Sequence, residues 1–276
     1  MPVDEPLAPL APRQLSRLLL LRRDSIGTAY HVLTFDAETP LDARAGQFAM
    51  VRSATWGSAP LLPRPMSLLT AGDRPSILIK VVGEGTRRMA HASSGEPFEL
   101  LMPLGKPWRP CPPDHRPVLV AGGVGIAPLL FFARELAASG TRAIALYGGR
   151  TALDLPLDVE LSASASLHVA TEDGSRGTRG RVTVLLEEVL GQLAAAGEKA
   201  KVYTCGPDAM MAAVARMCET RGVPCEVSLE TPMACGYGVC LGCPVPRRDS
   251  KSYLYACTEG PCIDAAAIDW SRGGAR

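Results

Sequence analysis

The chain has 276 residues, enough for two or three domains, and 47% of them are apolar, enough to build real cores. A formal net charge of +1 leaves no electrostatic footprint for nucleic acid or an anionic membrane, so neither is expected as a partner. Nine cysteines, an odd number, in a chain read as cytoplasmic argue against a disulfide framework.

The first block, residues 1–108, reads as an antiparallel β-barrel. "LSRLLLLRRD" (15–24) has too short an apolar run for a signal peptide, with basic residues on the wrong side. "YHVLTFDA" (30–37), "GQFAMVRSA" (46–54), "RPMSLLTA" (64–71) and "SILIKVVG" (76–83) are short β-branched or alternating runs separated by Gly, Pro and Asp. A helix is predicted to start after Thr86. The proline-dense stretch 102–117 reads as a stiff connection and the first domain boundary.

Residues 116–229 change to α/β grammar. "PVLVAGGVG" is a buried strand entering a glycine loop, and "APLLFFARELAASG" is an amphipathic helix stopped by Gly140. "AIALYGGR", "SLHVATEDG" and "AKVYTCGP" are further strands, and "DAMMAAVARMCETRG" is a helix closed by glycine. The alternation predicts a doubly wound parallel sheet with ligands at the carboxyl ends of its strands. The run 117–133 approaches membrane-spanning length, but its glycines and proline break it into strand, loop and helix. Residues 230–276 form a small cysteine-rich module.

That tail carries the densest chemistry. Cys235, Cys240 and Cys243 stand as C-x4-C-x2-C in "MACGYGVCLGCPVP" (233–246), and Cys257 follows after thirteen intervening residues. The order is the plant-type [2Fe–2S] spacing. Two bridged irons need thiolates converging from one loop, and Gly236, Gly238 and Gly242 let backbone N–H groups turn toward the sulfurs. Zinc ribbons show two C-x2-C knuckles where this chain has one, which leaves structural zinc or unligated buried cysteines as alternatives. The fourth ligand stays open between Cys257, at the end of the predicted strand "SYLYAC" (252–257), and Cys262, with Cys257 preferred.

In the barrel, Arg64 can neutralise a pyrophosphate, and the N–H groups of Gly85 and Thr86 at a helix start can bond its oxygens. Leu78, Ile79 and Lys80 can line a flavin ring. Each motif alone is an ordinary strand start or N-cap; together on one barrel they point to a flavin. In the α/β block, "AGGVGIAPL" (121–129) departs from the G-x-G-x-x-G fingerprint but still permits close backbone approach before a helix. Cys205, at a strand tip, is either a core residue or a thiol facing a nicotinamide. His31, His91, His115 and His168 share no motif, and Cys111, Cys218 and Cys225 read as structural.

From about Leu18 to Asp264, the order "RPMS", "GEGT", "GGVGIAP", "YTCGP", "MACGYGVCLGC", "ACTEGP" resembles the ferredoxin-reductase superfamily. Within it the chain resembles the family of electron transfer subunits of NAD-dependent (type B) dihydroorotate dehydrogenases. The resemblance implies a barrel for FAD, an α/β domain for NAD and a [2Fe–2S] module. It also implies a partner, an FMN-containing (β/α)8 catalytic subunit that oxidises dihydroorotate, in a heterotetramer with two of each subunit. This chain would pass the electrons through [2Fe–2S] and FAD to NAD+ in pyrimidine biosynthesis. Carried over by position, the resemblance implies that Arg64, Pro65, Met66, Ser67, Leu78, Ile79, Lys80, Gly85 and Thr86 hold FAD. It implies that Gly123, Gly125, Cys205, Gly206 and Pro207 face NAD, with Cys205 at the nicotinamide. Cys235 and Cys240 would bind one iron, Cys243 and Cys257 the other. Sister enzymes of this architecture, an NAD(P)H–ferredoxin oxidoreductase or a soluble hydrogenase flavin subunit, are the alternative; a zinc-stapled, non-redox interaction module is one of another class. Three positions depart or stay open: Met102 where the family shows glycine, Cys262 where an apolar residue is usual, and Arg150, which fits NAD or NADP.

Overall fold

The structure, a computed structural model, describes residues 10–248 and 250–272. Residues 1–9, 249 and 273–276 lie outside it, and with them the outer ends of the first and last expected domains.

Alternating apolar residues close the first block into a six-stranded antiparallel barrel. Its strands are β1 (Gln14–Ile26), β2 (Tyr30–Asp36), β3 (Phe48–Ser53), β4 (Arg64–Thr70), β5 (Ser76–Lys80) and β6 (Pro97–Leu104), in the order β1-β2-β5-β4-β3-β6. Leu20, Leu33, Phe35, Phe98 and Leu100 fill the interior, with Phe35 and Phe98 edge to face at 5.4 Å. The sequence reading named four of these strands and missed β1 and β6. In β1, Leu18 and Leu20 face inward while Leu15 and Leu19 face solvent, so a run of leucines hides the alternation. Met102–Leu104, assigned above to the connection, belongs to β6. Helix α1 (Glu84–Met89) starts three residues earlier than expected, because Thr86 caps it from inside: its hydroxyl accepts from the N–H of Val82 (3.0 Å) and Gly83 (3.2 Å).

The second block is a seven-stranded sheet of order β10-β9-β8-β7-β11-β12-β15. The chain runs β7 (His115–Gly122), α2 (Ile126–Ala138), β8 (Ala143–Gly149), α3 (Asp158–Ser164), β9 (Ala165–Thr171), β10 (Thr178–Arg179), α4 (Val182–Ala195), β11 (Lys199–Cys205), α5 (Asp208–Arg221) and β12 (Cys225–Ser228). The strands through β12 are parallel; α2 and α3 pack into one core, α4 and α5 into another. Strand order reverses between β7 and β11, where the Gly122–Gly125 turn and Cys205 stand side by side, as a doubly wound sheet demands of its ligand crevice.

The tail forms a small hairpin, β13 (Pro244–Pro246) with β14 (Tyr253–Tyr255), and then β15 (Cys262–Asp264), which adds antiparallel to β12 at the edge of the large sheet. The tail also grips the barrel end: Lys106 N–H donates to Gly260 O at 2.6 Å. The strand ends at Tyr255, so Cys257 lies in the turn beyond it rather than on it. Among the described residues, no helix is long and apolar enough to cross a membrane.

Candidate functional site

A cleft of about 440 Å³ opens between barrel, sheet and tail. The β4 segment Arg64–Ser67, the β5 segment Leu78–Lys80, and Gly85 with Thr86 of α1 all line it. One end is built for an anion. The Arg64 guanidinium lies against Gly85 so closely that a Cβ there would sit 2.5 Å from Arg64 Nε, and the first-turn amides of α1 are beside it. The far wall, Leu229–Met233 with Pro261, carries no motif of its own and was not foreseen. Its one sequence signal is that it runs directly into the first cysteine of the tail. Volume, apolar walls and a cationic end fit a flavin nucleotide.

Lys80 also reaches out of the cleft. Its Nζ lies 3.3 Å from Asp154 Oδ1, an oxygen that also accepts from the Tyr30 hydroxyl at 3.1 Å, and Arg150 is 3.5 Å from Asp154 Oδ2. The hydrogen bond to Tyr30 raises the Lys80 ammonium above its ordinary range, so it stays charged. This network joins barrel to sheet across a second cavity of about 520 Å³, between the β1–β2 turn and the loop after β8.

At the switch point, the turns after β7 and β11 interlock. A Cβ on Gly125 would meet Cys205 O at 2.3 Å, so only glycine allows the approach. Gly123 is open, since a Cβ there would come no closer than 3.8 Å to Tyr30 Oη, and its carbonyl is held by the buried Tyr147 hydroxyl at 2.8 Å. Gly206 and Pro207 follow Cys205 into the N-terminus of α5. Cys205 is buried; burial pushes its thiol far up, the Glu230 charge adds to that, and a hydrogen bond from Ser228 opposes it. It is a neutral thiol, not a nucleophile.

The four candidate ligand cysteines meet in two pairs. Cys243 and Cys257 have sulfurs 3.2 Å apart, both buried. Cys235 Sγ accepts from the N–H of Cys240 (3.4 Å) and Tyr237 (3.5 Å). Desolvation raises the Cys235 thiol, but the N–H groups of Cys240, Tyr237 and Val239 outweigh it and bring it down to about 6. Desolvation and the neighbouring Cys243 push Cys257 up to about 12, against a hydrogen bond from Gly238 N–H. Gly236 (φ +80°) and Gly238 (φ +90°) make these turns possible, and a Cβ on Gly236 would strike Met50 at 2.5 Å. Cys262 is elsewhere: its thiol points at Gly46 O (3.7 Å), in the core that holds Cys205 and Trp108. Two thiol pairs, three cysteines on one loop and Cys257 in the turn after β14, fit a two-iron cluster. Around them Tyr237, Val239, Cys240 and Leu241 are exposed.

The chain is similar in sequence and in fold to known proteins. The family model described as the iron-sulfur cluster binding domain of dihydroorotate dehydrogenase B matches residues 230–269, and that of the oxidoreductase NAD-binding domain matches residues 119–216. The chain is 35% identical over 230 residues to the dihydroorotate dehydrogenase B (NAD(+)) electron transfer subunit of Geobacillus kaustophilus, covering 81% of this chain and 86% of that protein. It is 32% identical over 260 residues to the subunit of the same description from Listeria monocytogenes serotype 4a, covering 92% and 98%. Among solved structures, an NADH-dependent reduced ferredoxin–NADP oxidoreductase superposes with a TM-score of 0.79 at 25% identity, over 92% of this chain and 90% of that one. The ferredoxin reductase of carbazole 1,9a-dioxygenase shares the fold, with a TM-score of 0.67 at 19% identity over 78% and 68%.

Proposed function

The chain belongs to the family of electron transfer subunits of NAD-dependent dihydroorotate dehydrogenase B, and on that premise we propose how its residues divide the family's work. It is an oxidoreductase subunit of pyrimidine biosynthesis with sites for FAD, a [2Fe–2S] cluster and NAD. When bound, FAD exchanges a hydride with nicotinamide and single electrons with an iron–sulfur cluster, which is why both sites must flank it.

Arg64, Gly85 and Thr86 hold the flavin's pyrophosphate, a role supported by the cationic end of the cleft. Pro65, Met66 and Ser67 with Leu78, Ile79 and Lys80 wall its ring and exclude water. Gly123, Gly125, Gly206 and Pro207 shape the nicotinamide pocket, and Cys205 presents an uncharged thiol to it. Cys235 with Cys240, and Cys243 with Cys257, ligate the two irons. The division into residues 1–108, 116–229 and 230–276 follows these three cofactors. A catalytic dihydroorotate dehydrogenase is the partner implied by the family; in our reading it is an FMN-containing (β/α)8 barrel, two copies joining two of this chain in the cytoplasm. The exposed apolar tip around Cys240 supports the cluster loop as the side turned toward that partner.

The observation that carries the reading is the pairing of four thiols, three on a loop that continues from the wall of the cleft and the fourth, Cys257, in the turn packed against it. Cys240→Ser is expected to lose iron and electron exchange with the partner while NADH still reduces the bound flavin. Unchanged iron in that variant would refute the ligand set. Copurification of a hydrogenase, in place of an FMN barrel, would refute the partner.

A further inference from the structure

Two described side-chain oxygens are buried without a hydrogen bond, one on Asp158 and Oγ1 of Thr231. Asp158 has the Arg176 guanidinium as its ion-pair partner, so Thr231 alone of the two has no counterpart in the protein. An unpaired buried hydroxyl is destabilising, and native folds keep few of them. Thr231 is 7% exposed and borders the cleft. The oxygen itself is covered in the open cleft, so it meets an occupant after rotation about Cα–Cβ to another staggered position.

Which part of an occupant it meets follows from the cleft's polarity. The anion-binding end is at Arg64 and Gly85. Thr231 is on the wall formed by Leu229–Met233 and Pro261, four residues before the ligand candidate Cys235. That wall follows β12 of the nucleotide-binding sheet and runs into the cysteine loop, so it is where the redox-active ring belongs. We propose that the Thr231 hydroxyl donates a hydrogen bond to the flavin ring and stabilises its reduced form. The inference rests on the FAD reading of the cleft and assigns to this residue part of the control of that flavin's potential. A donor to the ring favours added electron density, so its removal disfavours reduction.

The test compares Thr231→Val, which keeps the shape without the hydroxyl, with Thr231→Ser, which keeps the hydroxyl, both as holoprotein with iron content verified. Thr231→Val is expected to bind FAD about tenfold more weakly, the scale of one lost hydrogen bond. It is expected to shift the flavin absorption band and to lower the preference for reduced flavin about tenfold, or about 30 mV for the two-electron couple. Thr231→Ser restores all three. Flavin affinity, band and potential unchanged in Thr231→Val would overturn the proposal, as would a serine variant with the same defect as valine. Should the valine variant fail to fold, Thr231→Ala against Thr231→Ser reads the same difference of one hydroxyl. Wild-type protein that takes up no FAD would overturn the inference together with the FAD reading, an outcome separate from wild-type and valine proteins that behave alike.

Discussion

Single side chains decide which cysteine completes the cluster site. Spacing left Cys257 and Cys262 both available, because five residues of turn can bring either sulfur to one loop. Packing separates them: Cys257 lies against Cys243 at 3.2 Å, whereas Cys262 is turned toward Gly46 and tightly enclosed, a Cβ on Gly46 falling 2.5 Å from its sulfur. Cys262 therefore acts as a small apolar filler beneath the connection, in place of the apolar residue expected there. Cys257→Ser should lose most of its iron and acid-labile sulfide. Cys262→Ala should keep both at wild-type level and lose about 1–2 kcal/mol of stability, measured by thermal or denaturant unfolding, from the small void it leaves. Iron loss in the alanine variant would exchange the two assignments.

Between elements, the connection from β6 to β7 depends on a buried ion pair that no local pattern announces. Lys201 on β11 and Glu226 on β12 pair at 2.8 Å with side chains 10% and 5% exposed. Glu226 also accepts from Arg109 N–H at 3.1 Å, and Lys201 donates to Pro110 O at 3.1 Å, so the two charges anchor the proline-rich segment to the sheet. Lys201→Met leaves a buried carboxylate without its cation and is expected to destabilise the fold by about 3–5 kcal/mol. Breaking the exposed Arg116–Glu198 pair should cost under about 1 kcal/mol; equal unfolding midpoints for the two variants would remove the anchoring role. Such long-range pairs mark the limit of what the sequence made legible. Strands β7, β8, β9 and β11 and helices α2 and α5 read well because glycine stops and buried strands are local signals, as at Gly140 and Gly222, whereas α3, α4, β10 and β12 went unnamed. Strands β1 and β6 were missed too, since which face of a leucine run is inside is settled only when the barrel closes. In the site, the residues of β4, β5 and α1 were legible from motifs, and the cysteine loop from spacing. The wall Leu229–Met233 was not, because it lines the cleft only after β15 has drawn the tail onto β12.

The whole molecule is held together at the cleft, since barrel, sheet and tail each supply one wall of it. The tail's contribution is a clasp: β15 on the sheet, Gly260 on Lys106, and Gly236 against Met50 on the outside of the barrel. One direct tie between barrel and α/β block is the Tyr30–Lys80–Asp154–Arg150 network, in which Asp154 bonds Tyr30 and Lys80, more than seventy positions away in sequence. Its pH dependence follows from its two ends. At Asp154 desolvation acts upward, but the Tyr30 hydroxyl and the Lys80 ammonium outweigh it and hold the carboxyl below 3.8, so its contribution is present at higher pH and lost as pH falls through that lowered value. The Tyr30 contact lifts Lys80 above 10.5, so its contribution is present below that and lost as pH rises beyond it. Asp154→Ala leaves Lys80 and the hydroxyl of the buried Tyr30 without their acceptor and should lower stability by about 1–2 kcal/mol. The deficit relative to wild type should be flat from about pH 5 to 9 and shrink below about pH 4, where wild type loses the same charge. Melting curves of the two proteins across that range check it. A deficit that peaks at acid pH would show that Asp154 is a strained residue and not the tie between the two halves.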